Sequence, residues 1–102
     1  MTGENEVAIA GRLVELGALR HTPGGIPVVE FRLRHESERA EAGATRKVNA
    51  EIEAIAFQTE ARMIGGAALG SMLRVEGFLC ARSRRSKKPI LHVTKFEFMQ
   101  GV

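Results

Sequence analysis

Residues 82 to 88 read "RSRRSKK", five cations in seven positions with no acid among them. Arg82, Arg84, Arg85, Lys87 and Lys88 at that density suit one kind of chemistry, neutralising the phosphates of a polyanion. The charge is local. The whole chain carries +3, and taking away these five leaves −2 for everything else. A solvated loop or an address tag would have the same composition. A membrane anchor fits less well, because no apolar amphipathic helix accompanies the run.

The other reactive side chains do not assemble into a catalytic pattern. His21, His35 and His92 fall in a turn and two separate strands, without metal-ligand spacing. "GGAALGS" has the glycines of a phosphate loop but not its lysine. Glu51 and Glu53 sit two apart on one strand face, where outward solvation explains them as well as acid–base work does. Cys80 is the single cysteine, so an internal disulfide is impossible, which fits a reducing cytoplasm. By type it is a small apolar residue of the core or its margin. No enzyme, metal or cofactor is expected.

The elements that must carry the cations are strands. One hundred and two residues, 44% apolar and 26% charged, make one soluble globular domain over 1–102. No apolar run approaches the ~20 residues that cross a bilayer, and "MTGENEVAIAG" lacks the layout of a signal peptide. Period-two alternation predicts a first strand over 6–17, with the phase slipping near "GRLV", where Gly11 allows a bulge or sharp bend. "HTPGG" (21–25) is a turn, and "IPVVEFRLRHE" (26–36) the second strand, with Val29, Phe31 and Leu33 on one side. "SERAEAGAT" (37–45) reads as a loop and 46–57 as the third strand. "QTEARMIGG" gives a short helix, capped by Thr59 and ended by Gly65-Gly66.

A fourth strand covers 69–81, with Leu73, Val75 and Leu79 on one face and Gly77 breaking the phase. The fifth covers 89–99, with Ile90, His92, Thr94, Phe96 and Phe98 on one side and Leu91, Val93, Lys95, Glu97 and Met99 on the other. Apolar groups on both sides suggest a core on one face and a partner on the other. The fold class is therefore all-β: a five-stranded OB-fold Greek-key barrel with one short helix between strands 3 and 4. In that topology "RSRRSKK" joins strands 4 and 5, one of two loops with which this fold holds oligonucleotides.

A single-stranded nucleic acid needs cations for its phosphates and flat groups on which bases stack. Five loop cations give a salt slope of about −3.5, and Arg20, Arg32, Arg34, Arg46 and Lys47 extend the track if they share the barrel face. Aromatics are scarce. Trp and Tyr are absent, and the five Phe lie in strand patterns that place most of them in the core. Affinity should lean on charge.

"GRLVELGALRHTPGGIPVVEFRLRHES", "EAG" at 41–43, "VEGFL" at 75–79 and "LH" at 91–92 resemble the primosomal replication protein N family, bacterial relatives of single-stranded-DNA-binding proteins. The resemblance runs through nearly the whole chain. It implies a cytoplasmic, homodimeric OB-fold that binds single-stranded DNA and contacts the PriA helicase, and in some bacteria DnaT, when stalled forks restart. Arg20 and Arg46 match basic positions of the family, Arg82 and Arg84 the cations that open the loop, and Lys88 the one near its end. Ala44 and Asn49 stand where the family has aromatic groups.

The site expected from all of this is Arg20, Arg34, Arg46, Lys47, Arg82, Arg84, Arg85, Lys87 and Lys88. A second reading from another class is a dimeric adaptor that docks on the helicase and binds DNA only weakly. A third is an RNA-binding OB protein, although nothing in the sequence reads a 2′-hydroxyl.

Overall fold

The computed structural model describes residues 3–99; Met1, Thr2, Gln100, Gly101 and Val102 of the expected domain lie outside the described residues. The elements run β1 (Val7–Leu16), β2 (Arg20–His21), β3 (Pro27–Glu41), β4 (Ala44–Phe57), α1 (Gln58–Gly65), β5 (Met72–Ala81) and β6 (Pro89–Met99). β2 is only a two-residue ladder against Val28 and Pro27 of β3. The "HTPGG" turn closes it, with Gly25 at a φ of 83° that a side chain would resist.

The five long strands close a ring. β1 pairs with β5, β5 with β6, β6 with β4, β4 with β3, and β3 returns to β1. Every pair is antiparallel except β4–β6. With α1 between β4 and β5, the third and fourth long strands, this is the expected OB barrel. Among the described residues, no helix is long and apolar enough to cross a membrane.

Alternation supplies the interior. Val29, Phe31 and Leu33 of β3, Ala54 and Ala56 of β4, Leu73 and Val75 of β5, and Leu91 and Val93 of β6 pack around Leu13. The helix adds Ala61 and Ile64, both fully buried. Each buried Leu, Ile or Val contributes about 1.5–3 kcal/mol. The phase slip expected near "GRLV" is a bulge at Val14, the last residue of that stretch, and not at Gly11: Leu13 pairs with Leu33, and Glu15 already with Arg32. Gly11 has a different task. A Cβ there would stand 2.8 Å from the Arg34 carbonyl oxygen where β3 crosses β1.

Four expectations need correction. The loop over 37–45 is a hairpin: β3 and β4 stay paired to Glu41–Ala44, and Ala42 and Gly43, at φ 53° and 80°, make a two-residue turn. This ribbon extends past the core, so no buried face marked it in the sequence. Thr59 caps nothing. The helix begins at Gln58, one residue before it, and no side chain caps its N-terminus.

Gly77 does not break the phase of β5, where Leu73, Val75 and Leu79 keep their alternation. The irregularity is in β6. Glu76 pairs with Lys95 and Gly77 with Val93, so Thr94 is the extra residue. Past Thr94 the faces of β6 exchange. Phe96 and Phe98 oppose Val75 and Leu73 on the interior side and do not share a face with Ile90 and His92. The outer side beyond the bulge is then Lys95, Glu97 and Met99, while Phe98, on the other side, is also exposed.

Candidate nucleic-acid interface

The cationic loop is an ordered turn. Ser83 N–H donates to the Ser86 carbonyl (3.2 Å), Ser86 N–H to Ser83 Oγ (3.0 Å), and Arg82 N–H to the Lys88 carbonyl (2.9 Å). The two serines of "SRRS" thus close a four-residue turn with Arg84 and Arg85 at its tip. Arg84, Arg85, Lys87 and Lys88 are exposed, and among the described residues none forms an ion pair. The signal for this turn in the sequence is the pair of serines that flank Arg84 and Arg85 in "SRRS".

Arg82 behaves differently. Its guanidinium donates to Glu30 Oε1 (2.6 Å) and Glu53 Oε2 (2.9 Å), tying the root of the loop to the outer face of β3 and β4. Arg20 donates to the other Glu30 oxygen (2.9 Å). Arg34 holds Glu51 (3.1 Å), and Arg32 bridges Glu15, Glu51 and Glu53. These cations do share the barrel face, but carboxylates already neutralise them.

Arg46 pairs with Glu41 at 2.7 Å near the hairpin tip. It sits on the opposite side of β4 from Lys47, since strand neighbours point to opposite faces. Lys47 has no ion-pair partner among the described residues. The nine expected positions therefore divide into five unpaired cations and four, Arg20, Arg34, Arg46 and Arg82, held by acids.

Burial pushes the Glu30 carboxyl up, but the hydrogen bonds and charges of Arg20 and Arg82 outweigh it and hold the group below its ordinary 4.5. A carboxylate depressed by folding stabilises the fold above its unfolded value, and that contribution disappears as pH falls through the lower folded value. Glu30→Gln is accordingly expected to reduce the loss of stability as pH falls through and below the ordinary carboxylate range, seen as a shallower fall of the urea midpoint. The effect should stay within about 1 kcal/mol, since the side chain is 35% exposed and surface ion pairs are worth little more. A wild-type acid slope in the variant would refute the assignment.

Beside the ion pairs the sheet carries aromatic rings, contrary to the expectation that most Phe are core. Cross-strand register aligns Glu30 of β3, Ile55 of β4, His92 of β6 and Phe78 of β5 in one outer row. His92 stacks on Phe78 at 5.1 Å between centroids and 18° between planes, and on Phe57 at 6.0 Å and 29°. Phe78 is 40% exposed, Phe57 half-buried, and only Phe31 is fully in the core. Phe57 follows Glu51, Glu53 and Ile55 in phase, and Phe78 is out of phase with Val75 and Leu79, so the alternation already marked both as outward. Cys80 lies on this outer face and is exposed, not a core residue.

A cleft of about 570 Å³ joins the two regions, with Arg20, Arg82, Ser83 and Ser86 on the loop side and Phe57 and His92 on the other. Its makeup, arginines at the root of the cationic loop beside a sheet bearing flat rings, suits a polyanion with planar groups better than a small apolar ligand.

Known proteins point the same way. A family model described as "another single-strand binding protein family" matches residues 5–95. The chain is 38% identical over 97 residues to replication restart protein PriB of Bordetella pertussis, covering 95% of this chain and 91% of that one. A solved structure of PriB from Ralstonia solanacearum superposes with a TM-score of 0.84 at 30% identity, over 96% of this chain and 100% of that one. The single-stranded DNA binding protein of Thermus aquaticus shares the fold, with a TM-score of 0.78 at 23% identity, over 99% of this chain and 52% of that one.

Proposed function

The chain belongs to the replication restart PriB family of single-strand binding proteins, and on that premise we propose that it binds single-stranded DNA during replication restart, taking phosphates on the loop between β5 and β6. The observation that carries this reading is the Ser83–Ser86 turn, which holds Arg84 and Arg85 outward with Lys87 and Lys88 beside them and, among the described residues, no ion-pair partner for any of the four. Lys47 lies on the same outer side of the barrel and can extend the track along the hairpin. Arg20, Arg34, Arg46 and Arg82 act less directly: each must leave a carboxylate before it can meet a phosphate. A second copy of the chain, the PriA helicase and, in some bacteria, DnaT are the protein partners that this role implies.

Four free loop cations in place of five set the expected salt slope near −2.8 for a single strand. Raising salt from about 50 to 200 mM should weaken binding of a labelled dT oligomer roughly 50-fold. Fluorescence anisotropy over that range, with duplex DNA of equal length as competitor, tests it. A flat salt dependence, or duplex competing as well as dT, defeats the proposal and favours the helicase-docking adaptor.

A further inference from the structure

The ring row and the free cations are neighbours on one surface, and the strand-by-strand register explains why. β5 sends Phe78 outward and runs into the loop that bears Arg84, Arg85, Lys87 and Lys88, and β6 leaves that loop and sends His92 outward beside Phe78. Phe78 and Phe57 stack on His92 at 18° and 29°, and solvent at the Phe78 end leaves a row that another planar group can continue. The adjoining unpaired cations call for a polyanion, and a ligand offering planar groups strung on negative charge is a single nucleic-acid strand.

We propose that Phe57, His92 and Phe78 form a base-stacking platform, in which an unpaired base stacks on the row while its flanking phosphates lie along the loop. This rests on the single-stranded-DNA reading above and adds what that reading lacks, a contact with bases as well as phosphates. It also revises the sequence expectation: Ala44 and Asn49 supply no rings, but β4, β5 and β6 do. Phe78 contributes most, being the exposed member. His92 sits between the two phenyl groups and joins them in one row. Phe57, half-buried, anchors its other end.

The test compares a labelled dT oligomer with an abasic oligomer of the same length and charge. The wild type should bind dT about 5- to 150-fold more tightly, the usual worth of stacking a base on an aromatic side chain. Phe78→Ala should remove most of that preference while leaving the salt slope unchanged, because no cation is lost. A second variant, Phe78→Trp, places the only indole in a chain with neither Trp nor Tyr; its fluorescence should be quenched by dT and not by the abasic strand. Equal wild-type affinity for the two oligomers overturns the platform and leaves the phosphate grip standing. So does a preference that survives in Phe78→Ala, or an indole that responds to both strands. Binding of neither oligomer overturns the single-stranded-DNA reading itself, and the platform with it.

Discussion

Replacing Arg84, Arg85, Lys87 and Lys88 together with alanine is expected to lower affinity for dT roughly 30- to 1,000-fold at low salt, without lowering stability. Each exposed charge contact with a phosphate is worth about 0.5–1 kcal/mol, so four give about 2–4 kcal/mol. The salt slope should shrink at the same time, toward what Lys47 and the acid-held cations provide. The fold should tolerate the change, because all four side chains are exposed and the turn is closed by Ser83, Ser86 and the backbone of Arg82 and Lys88. Anisotropy at about 50 mM salt gives the affinity, and a urea titration checks the fold. Affinity within threefold of wild type would count decisively against the loop as the phosphate grip.

Arg82→Ala is a useful contrast within the same loop. It removes one cation and leaves Glu30 to Arg20 and Glu53 to Arg32, so the two carboxylates face an incoming phosphate with less compensation. The salt slope should scarcely change, since Arg82 is already neutralised, while affinity falls through repulsion. The two variants separate a cation that grips from one that holds the loop in place.

That division could not be taken from the sequence. "RSRRSKK" shows Arg82 as the equal of Arg84, and only the pairing of β3 with β4 places Glu30 and Glu53 beneath it. Local pattern did yield the barrel, because each strand buries one face and so alternates. It failed where burial no longer sets the pattern. The hairpin over 37–45 is exposed on both faces, and its pairing is carried by the backbone and the Ala42–Gly43 turn. The β6 error has a related cause. One unpaired residue, Thr94, exchanges every face after it, and nothing about a threonine in a strand announces a bulge. The ring row needed three strands to be in register at once, although the outward phase of Phe57 and Phe78 was legible one strand at a time.

Gly77→Ala is expected to destabilise the protein by about 3 kcal/mol or more, a large share of the 5–15 kcal/mol typical of a domain. The cause is space rather than backbone conformation. A Cβ on Gly77 would overlap the His92 carbonyl, with the Cα of Val93 only 3.1 Å away. Those are backbone atoms, so no rotamer change can relieve the clash; β6 would have to move away from β5 at the Thr94 bulge. Val93 would leave the core with it, and His92 would shift from its place beside Phe78. Gly25→Ala makes the informative control. It has no atom within 4 Å of its would-be Cβ but sits at φ 83°, so its cost should be conformational only, about 1–2 kcal/mol. Urea midpoints of the two variants should therefore rank Gly77 well below Gly25. The reverse ranking, or an unchanged midpoint for Gly77→Ala, would mean that β6 can move freely at the bulge. The row of rings built on β5 and β6 would then be no rigid platform for a base.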